Sequence, residues 1–170
     1  DKYPNGLNKI KAIYYRGESN TLLKKYDQSL DDYERLIQLG NSEFYVSALR
    51  KASLISYNYT QNFEKAYTYY HQYYNLLTDE DEKYASALGA LRSAFRIANN
   101  DGIKKYGEIV STHKKADNEE KVSAYYYLGK TWLKEENLEK AKTSFTAIDD
   151  MVNTNQSAEA RYLIAEILWK

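Results

Sequence analysis

The sequence predicts an all-α fold, and three observations lead to that prediction. The chain of 170 residues has a single proline, Pro4, whereas proline otherwise tends to interrupt helices and mark loops. No alternating run of apolar and polar residues bounded by a hairpin turn is visible, so no strand is predicted. Finally, side chains spaced three and four residues apart recur along the chain. We therefore expect about nine helices.

The recurring spacing consists of an aromatic or aliphatic residue, a residue three positions on, and a large apolar residue four beyond that. Its instances are Tyr26/Ser29/Tyr33, Phe63/Ala66/Tyr70, Ile103/Tyr106/Val110 and Leu138/Ala141/Phe145. Their central members are 37, 40 and 35 residues apart, and each step has room for two helices and their turns. We expect a single array with repeats over 7–40, 43–78, 82–115 and 118–155 and a half repeat over 156–170.

The first helix of a repeat has its own spacing: an alanine, a tyrosine two later, and a small residue three after the tyrosine. Its instances are Ala12/Tyr14/Gly17, Ala124/Tyr126/Gly129 and Ala160/Tyr162/Ala165. Helices approach closely only where side chains are short, so we expect the small residue to face a neighbouring helix. The middle repeats depart from this spacing, and there we expect Lys51 and Leu91 at the tyrosine position.

These residues resemble the tetratricopeptide repeat over nearly the whole chain. The match is best over 122–155, which has Ala124, Leu128-Gly129, Trp132, Leu138, Ala141 and Phe145 in the family's order and spacing. The resemblance implies a right-handed superhelix of antiparallel helix hairpins. Tyr3-Pro4-Asn5-Gly6 looks like the close of a preceding repeat. Followed by Ala12-Ile13-Tyr14-Tyr15, in a chain without cysteine, it is similar to periplasmic members of the family. We therefore favour a bacterial cell-envelope location and a slice of a longer array.

The resemblance also implies where a partner would bind, because first helices of the family line a concave groove. The residue three before the small one, and the residue directly after the small one, face that groove. The groove candidates are Tyr14, Glu18, Lys51, Tyr126, Lys130 and Tyr162. A tyrosine ring buries much area while its hydroxyl can still be satisfied, which suits such a surface. We expect a non-enzymatic scaffold that binds a protein or peptide.

Composition argues against several other functions. Twenty-four lysines and arginines balance twenty-four aspartates and glutamates, so the basic excess typical of nucleic-acid binders is missing. Apolar runs are too short to cross a membrane. There is no cysteine, and the two histidines, His71 and His113, lie on different hairpins without the spacing of a metal site. We expect no catalytic residue, no metal and no cofactor.

Two alternatives remain open at this stage. Tyrosines crowd the second repeat, and Tyr69 is expected to face away from the core positions, so an exposed aromatic patch there could bind a glycan. The half repeat is a first helix with no second helix after it. Its apolar end, at Leu168 and Trp169, could mediate self-association.

Overall fold

The computed structural model describes residues 7–40, 42–149, 151 and 154–169, and this part of the chain contains nine α-helices and no strand. The motif at Tyr3-Pro4-Asn5-Gly6 lies outside the described residues. The helices are α1 (Leu7–Leu22), α2 (Tyr26–Leu39), α3 (Tyr45–Asn58), α4 (Phe63–Leu76), α5 (Glu80–Arg96), α6 (Asn100–Thr112), α7 (Asn118–Lys134), α8 (Leu138–Thr146) and α9 (Asn155–Trp169). The all-α prediction is confirmed.

The chain divides into two compact units, residues 1–93 and 94–170. In the first unit, α1 packs against α2, α2 against α3, and α3 against α4. In the second unit, α7 packs against α6, α8 and α9, and α8 also packs against α9. Helices that follow one another along the chain are therefore neighbours in space within each unit, as a helical repeat requires.

Four single residues with a left-handed backbone recur at a regular interval. Lys24, Gln61, Ala98 and Glu136 have φ values of 58°, 51°, 53° and 59° and are 37, 37 and 38 residues apart. Each lies two residues before the second helix of an expected repeat. A single left-handed residue is a common way to end an α-helix and turn the chain. We number positions within each repeat from this left-handed residue.

This numbering changes the alignment of the third repeat. Ile103, Tyr106 and Val110 all lie on α6 and are almost fully buried, as expected of core residues. Counting from Ala98, however, Ile103 and not Tyr106 corresponds to Ser29, Ala66 and Ala141. The expected alignment was wrong because α6 begins earlier than the sequence suggested. Asn99 is the N-cap of α6, since its side chain accepts a hydrogen bond from the Gly102 amide at 2.9 Å, and the polar residues after it form the first turn of the helix.

The small residues of the first helices have the packing role expected of them at two positions. A Cβ built on Gly17 would lie 3.1 Å from the Tyr33 ring, and one built on Gly129 would lie 2.7 Å from Cδ1 of Phe145. Tyr33 and Phe145 are fully buried on the second helices. Glycine therefore lets each second helix bring a ring onto its own first helix. Ala165 on α9 is exposed.

The second repeat solves the same packing problem in another way. The position of Gly17 is occupied by Leu54, which is on the surface, and the glycine appears on the following helix instead. A Cβ on Gly89 of α5 would lie 2.7 Å from Cε2 of Tyr70 on α4. This exchange of positions explains why the second repeat has no small residue at the expected place in its first helix.

Helix α7 starts with a capping box. The Asp117 carboxylate accepts a hydrogen bond from the Glu120 amide at 2.8 Å, and the Glu120 carboxylate accepts one from the Asp117 amide at 3.2 Å. These two bonds satisfy backbone donors that have no partner within the helix.

We expect Asp117→Ala to lower the free energy of unfolding by about 1 kcal/mol, because the cap is lost. Asn118→Ala is the matched control, since Asn118 is exposed in the first turn and is not the capping residue. Urea denaturation followed by circular dichroism measures both changes. Equal stability losses in the two variants would contradict the assigned cap.

No helix among the described residues is long and apolar enough to cross a membrane.

Candidate functional site

In the first unit, two of the groove candidates bind each other. Lys51 Nζ on α3 donates to Glu18 Oε2 on α1 at 3.0 Å. The Tyr33 hydroxyl of α2 donates to the other carboxylate oxygen, Oε1. Glu18 is thus held between two neighbouring helices, and each of its oxygens has a partner.

The pKa of Glu18 is lowered by this arrangement. Partial burial on its own would raise the pKa, but the hydrogen bonds from Tyr33 and Lys51, together with the Lys51 charge, outweigh it. Glu18 therefore stays ionised in the folded protein. A carboxylate with a lowered folded pKa stabilises the fold above its unfolded pKa, about 4.3, and that stabilisation is lost as the pH falls through the folded pKa.

We expect the native protein to lose more stability than Glu18→Gln between about pH 5 and pH 3, by about 0.5 kcal/mol. The difference is small because about a third of each of the paired side chains, Glu18 and Lys51, remains exposed to solvent. Urea titrations of both proteins across this pH range make the measurement. Parallel losses in the two proteins would show that Glu18 contributes nothing to acid sensitivity.

Tyr14, four residues before Glu18 on α1, is part of an aromatic group. Its ring stacks on Phe44 at a centroid distance of 4.3 Å and meets the Tyr15 ring edge-on at 5.6 Å. Tyr14 is half-buried, whereas Tyr15 is 60% exposed. Sequence reasoning missed Tyr15 and Phe44 because neither occupies a groove position of the repeat. Tyr15 is the more accessible ring of this group.

In the second unit, two groove candidates converge on one carboxylate of α9. The Tyr126 hydroxyl donates to Glu159 Oε2 at 2.7 Å, and Lys130 Nζ donates to Glu159 Oε1 at 3.0 Å. The hydrogen bonds from Tyr126 and Lys130 lower the pKa of Glu159. Burial raises the pKa of Tyr126, and so does the hydrogen bond that its hydroxyl donates to Glu159. The three side chains form a fixed link between α7 and α9.

Not all of the tyrosines and leucines expected in the groove are exposed to solvent. Tyr126 is only 9% exposed, whereas Tyr162 on α9 is 69% exposed. Tyr162 is three residues from Glu159, so the two lie on the same side of the helix. Leu91 is fully buried, and Leu88 occupies the position that matches Tyr14 when counted from Ala98. The expectation for Leu91 was wrong because it relied on the shifted alignment of the third repeat.

Tyr69 is not the exposed ring that the sequence suggested. It is half-buried against the core of the first unit, and its hydroxyl donates to Glu34 Oε1 at 2.8 Å. Another pair is the more accessible aromatic surface of this unit. Tyr59 is 53% exposed and stacks on Tyr26 with the ring centroids 3.8 Å apart. Both tyrosines line an open depression of about 510 Å³.

The most buried carboxylate of the first unit is neutralised by a cation. Asp32 is 3% exposed and accepts hydrogen bonds from Arg16 Nε at 3.0 Å and from Asn20 Nδ2 at 3.1 Å. A guanidinium against a carboxylate in this way holds two helices together.

Neither histidine is placed near a cluster of possible metal ligands. The ring centroids of His71 and Tyr67 are 5.8 Å apart. His113 Nδ1 accepts a hydrogen bond from the Lys115 amide at 3.2 Å. In the part of the chain that the structure describes, no three His, Asp or Glu side chains are grouped so that they could hold a metal ion.

Comparison with known proteins assigns no family: no protein-family model matches the chain, and no curated protein is significantly similar to it.

Proposed function

We propose that this chain is a scaffold of tetratricopeptide-type repeats that binds a protein or peptide partner and has no catalytic activity. The partner binds on the surface of the first helices, where Tyr162 is a groove position and Tyr15 directly follows the groove position Tyr14. The observation that carries the proposal is the same in both units. An exposed tyrosine lies three residues along its helix from a glutamate that other helices hold in place: Tyr15 precedes Glu18 on α1, and Tyr162 follows Glu159 on α9.

This combination is suited to protein recognition for two reasons. An accessible aromatic ring supplies much of the binding energy of a typical interface, because it buries a large area at a small cost in conformational entropy. Charges that are already fixed by their own hydrogen bonds lose little freedom when a partner adds a further bond. The resemblance to envelope members of the family favours a periplasmic or other cell-envelope location.

Photo-cross-linking from single positions tests this proposal. Benzoylphenylalanine would replace Tyr15 or Tyr162 in turn, since it resembles tyrosine in shape and both rings are exposed. Matched controls would carry it at Gln38 on α2 or at Thr146 on α8, which are exposed on second helices. The binding surface predicts that both tyrosine positions capture the same protein from envelope extract and that neither control does. Equal capture from all four positions would rule out the proposed surface.

Self-association through α9 is a further part of the proposal. Leu168 is 64% exposed and Trp169 is 92% exposed at the end of this helix. Burial of such side chains between two copies would remove apolar area from water. Sedimentation of the native chain and of Leu168→Ser/Trp169→Ser at increasing concentration tests it. If the native chain stays monomeric at every concentration, self-association through α9 is excluded, and the proposed binding of a partner is unaffected.

Glycan binding is the second candidate function, and the stacked pair of Tyr59 and Tyr26 favours it. Lysine, aspartate and glutamine side chains line the depression beside the pair, and such groups can bind sugar hydroxyls. A glycan array with the native chain and Tyr59→Ala separates the two functions. Glycan signals that disappear in Tyr59→Ala would support this candidate, and a blank native array would exclude it for the sugars tested.

A further inference from the structure

An open cleft of about 280 Å³ lies between α6, α7 and α8 in the second unit. It is lined by residues of the second helices α6 and α8 and of the first helix α7, but none of them belongs to the surface of the proposed function. Most of its lining is apolar, with polar groups at several points. The residues that matter for its chemistry are Glu108, Ser111, Leu128, Trp132, Lys140 and Ser144.

The cleft lies where the repeat departs from its own pattern. The eighth residue after the left-handed residue is Tyr69 in the second repeat and Tyr106 in the third. Tyr69 is half-buried and Tyr106 is fully buried. In the fourth repeat the same position is Ser144, whose hydroxyl only donates to the Lys140 carbonyl of its own helix. A small side chain therefore stands where two other repeats place a tyrosine.

In the first unit, the tyrosine at this position, Tyr69, lies in a site formed by neighbouring side chains, which we call its seat. The Tyr69 ring packs on the hydrophobic core, and its hydroxyl donates to Glu34 Oε1 of the preceding second helix at 2.8 Å. Lys65 Nζ lies 2.6 Å from the same oxygen. Ile37 is among the apolar residues packed against this core. The seat thus consists of an apolar wall, a carboxylate that accepts from the phenol, and a lysine.

The second unit has the carboxylate and the lysine of this seat but not the ring. Counted from Ala98 and Glu136, Glu108 corresponds to Glu34 and Lys140 corresponds to Lys65. Both line the cleft. Ile37 is replaced by Ser111, which widens the space further. Trp132 supplies an aromatic wall, and Lys140 Nζ lies 4.3 Å from its ring centroid.

We propose that this cleft binds a tyrosine side chain of a partner protein, with the phenol hydroxyl donating to Glu108. The volume is slightly below the smallest typical of ligand pockets, about 300 Å³, which suits one side chain better than a larger molecule. The ring packs between Leu128 and Trp132 as it enters. The chain's own Tyr69 identifies the occupant, because a tyrosine fills the equivalent site in the first unit.

The hydroxyl distinguishes tyrosine from phenylalanine at this site. A phenol that donates to a carboxylate makes a charge-assisted hydrogen bond, which phenylalanine cannot make. We therefore expect the cleft to prefer tyrosine.

Nuclear magnetic resonance titration of the full chain with N-acetyl-tyrosinamide tests the proposal. Weak, millimolar binding is expected to shift the Trp132 indole resonance and the amides of Ser111 and Ser144. N-acetyl-phenylalaninamide should bind at least threefold more weakly. Glu108→Gln should reduce the preference for tyrosine while leaving the phenylalanine affinity unchanged. Equal affinities for the two probes, or shifts that map elsewhere, would overturn the proposal.

Filling the cleft from within gives a second, independent test. Ser144→Tyr restores the side chain that Tyr69 represents, and it should abolish the shifts caused by N-acetyl-tyrosinamide. Ser144→Ala keeps the space and should bind normally, as should Thr146→Tyr, which adds a tyrosine at an exposed position outside the cleft. If Ser144→Tyr loses helicity, Ser111→Ile narrows the cleft from α6 and should weaken binding at least threefold. If a folded Ser144→Tyr or Ser111→Ile protein binds N-acetyl-tyrosinamide as strongly as the native chain does, the cleft is not the binding site.

The same variant distinguishes a partner from a second copy of this chain. If a tyrosine of another copy filled the cleft, the native protein would sediment as a dimer that Ser144→Tyr dissolves, and this result would also overturn the proposal. Failure of photo-cross-linking at Tyr15 and Tyr162 would not affect it, because neither residue lines the cleft.

Discussion

Replacing Gly129 by valine is expected to lower the free energy of unfolding by about 3 kcal/mol, the upper end of the usual cost of overpacking. A Cβ at this position would lie 2.7 Å from Cδ1 and 2.8 Å from Cζ of Phe145, which is fully buried. Neither ring nor helix can move away without opening the core of the second unit. The slightly better helix propensity of valine recovers less than about 1 kcal/mol.

Ala165→Val is the matched control for this substitution. Ala165 occupies the corresponding place on α9 and is exposed, so an added side chain meets no ring there. Thermal and urea denaturation should show a large loss for Gly129→Val and a change within about 0.5 kcal/mol for the control. A combined Gly129→Ala/Phe145→Leu variant should be more stable than the sum of its single changes predicts, because the smaller side chain makes room for the methyl group. Strict additivity would show that the two residues are not in contact.

Replacing Tyr33 by alanine is expected to cost about 4 kcal/mol, as for the loss of a buried aromatic ring. Tyr33 is fully buried and faces Gly17, so its removal leaves a cavity that a glycine cannot fill. The substitution also removes the hydroxyl that donates to Glu18. The link between the helices of the first unit should weaken accordingly.

Tyr33→Phe separates the two contributions. It keeps the ring and removes only the hydroxyl, so we expect a loss of about 1–2 kcal/mol. The lowered pKa of Glu18 should move back towards its ordinary value, because the hydrogen bond from Tyr33 is one of the causes of the shift. Carboxylate resonances followed through a pH titration would report it. A Tyr33→Phe protein as unstable as Tyr33→Ala would mean that the hydroxyl, and not the packing of the ring, dominates.

Local spacing was enough to predict the helices and most of the core of the second helices. Tyr33 and Tyr70 were recognisable because residues three and four apart share one face of a helix whatever the helix packs against. Gly17 and Gly129 were recognisable for a similar reason, since a small residue at a fixed place in a helix indicates close approach. These features depend only on the geometry of one helix and its neighbour in sequence.

Only the tertiary structure decided which tyrosines are accessible. Tyr126 is covered because its hydroxyl reaches Glu159, 33 residues away, and Tyr69 is held by Glu34, 35 residues away. No local pattern encodes a partner at that distance. The alignment of the third repeat was also decided there, since the left-handed backbone at Ala98 sets where α6 begins. The sequence by itself therefore determined the helices and their buried faces. The packing of helices that are distant in sequence determined which side chains are accessible to a partner, because it engages polar groups in hydrogen bonds that no local pattern shows.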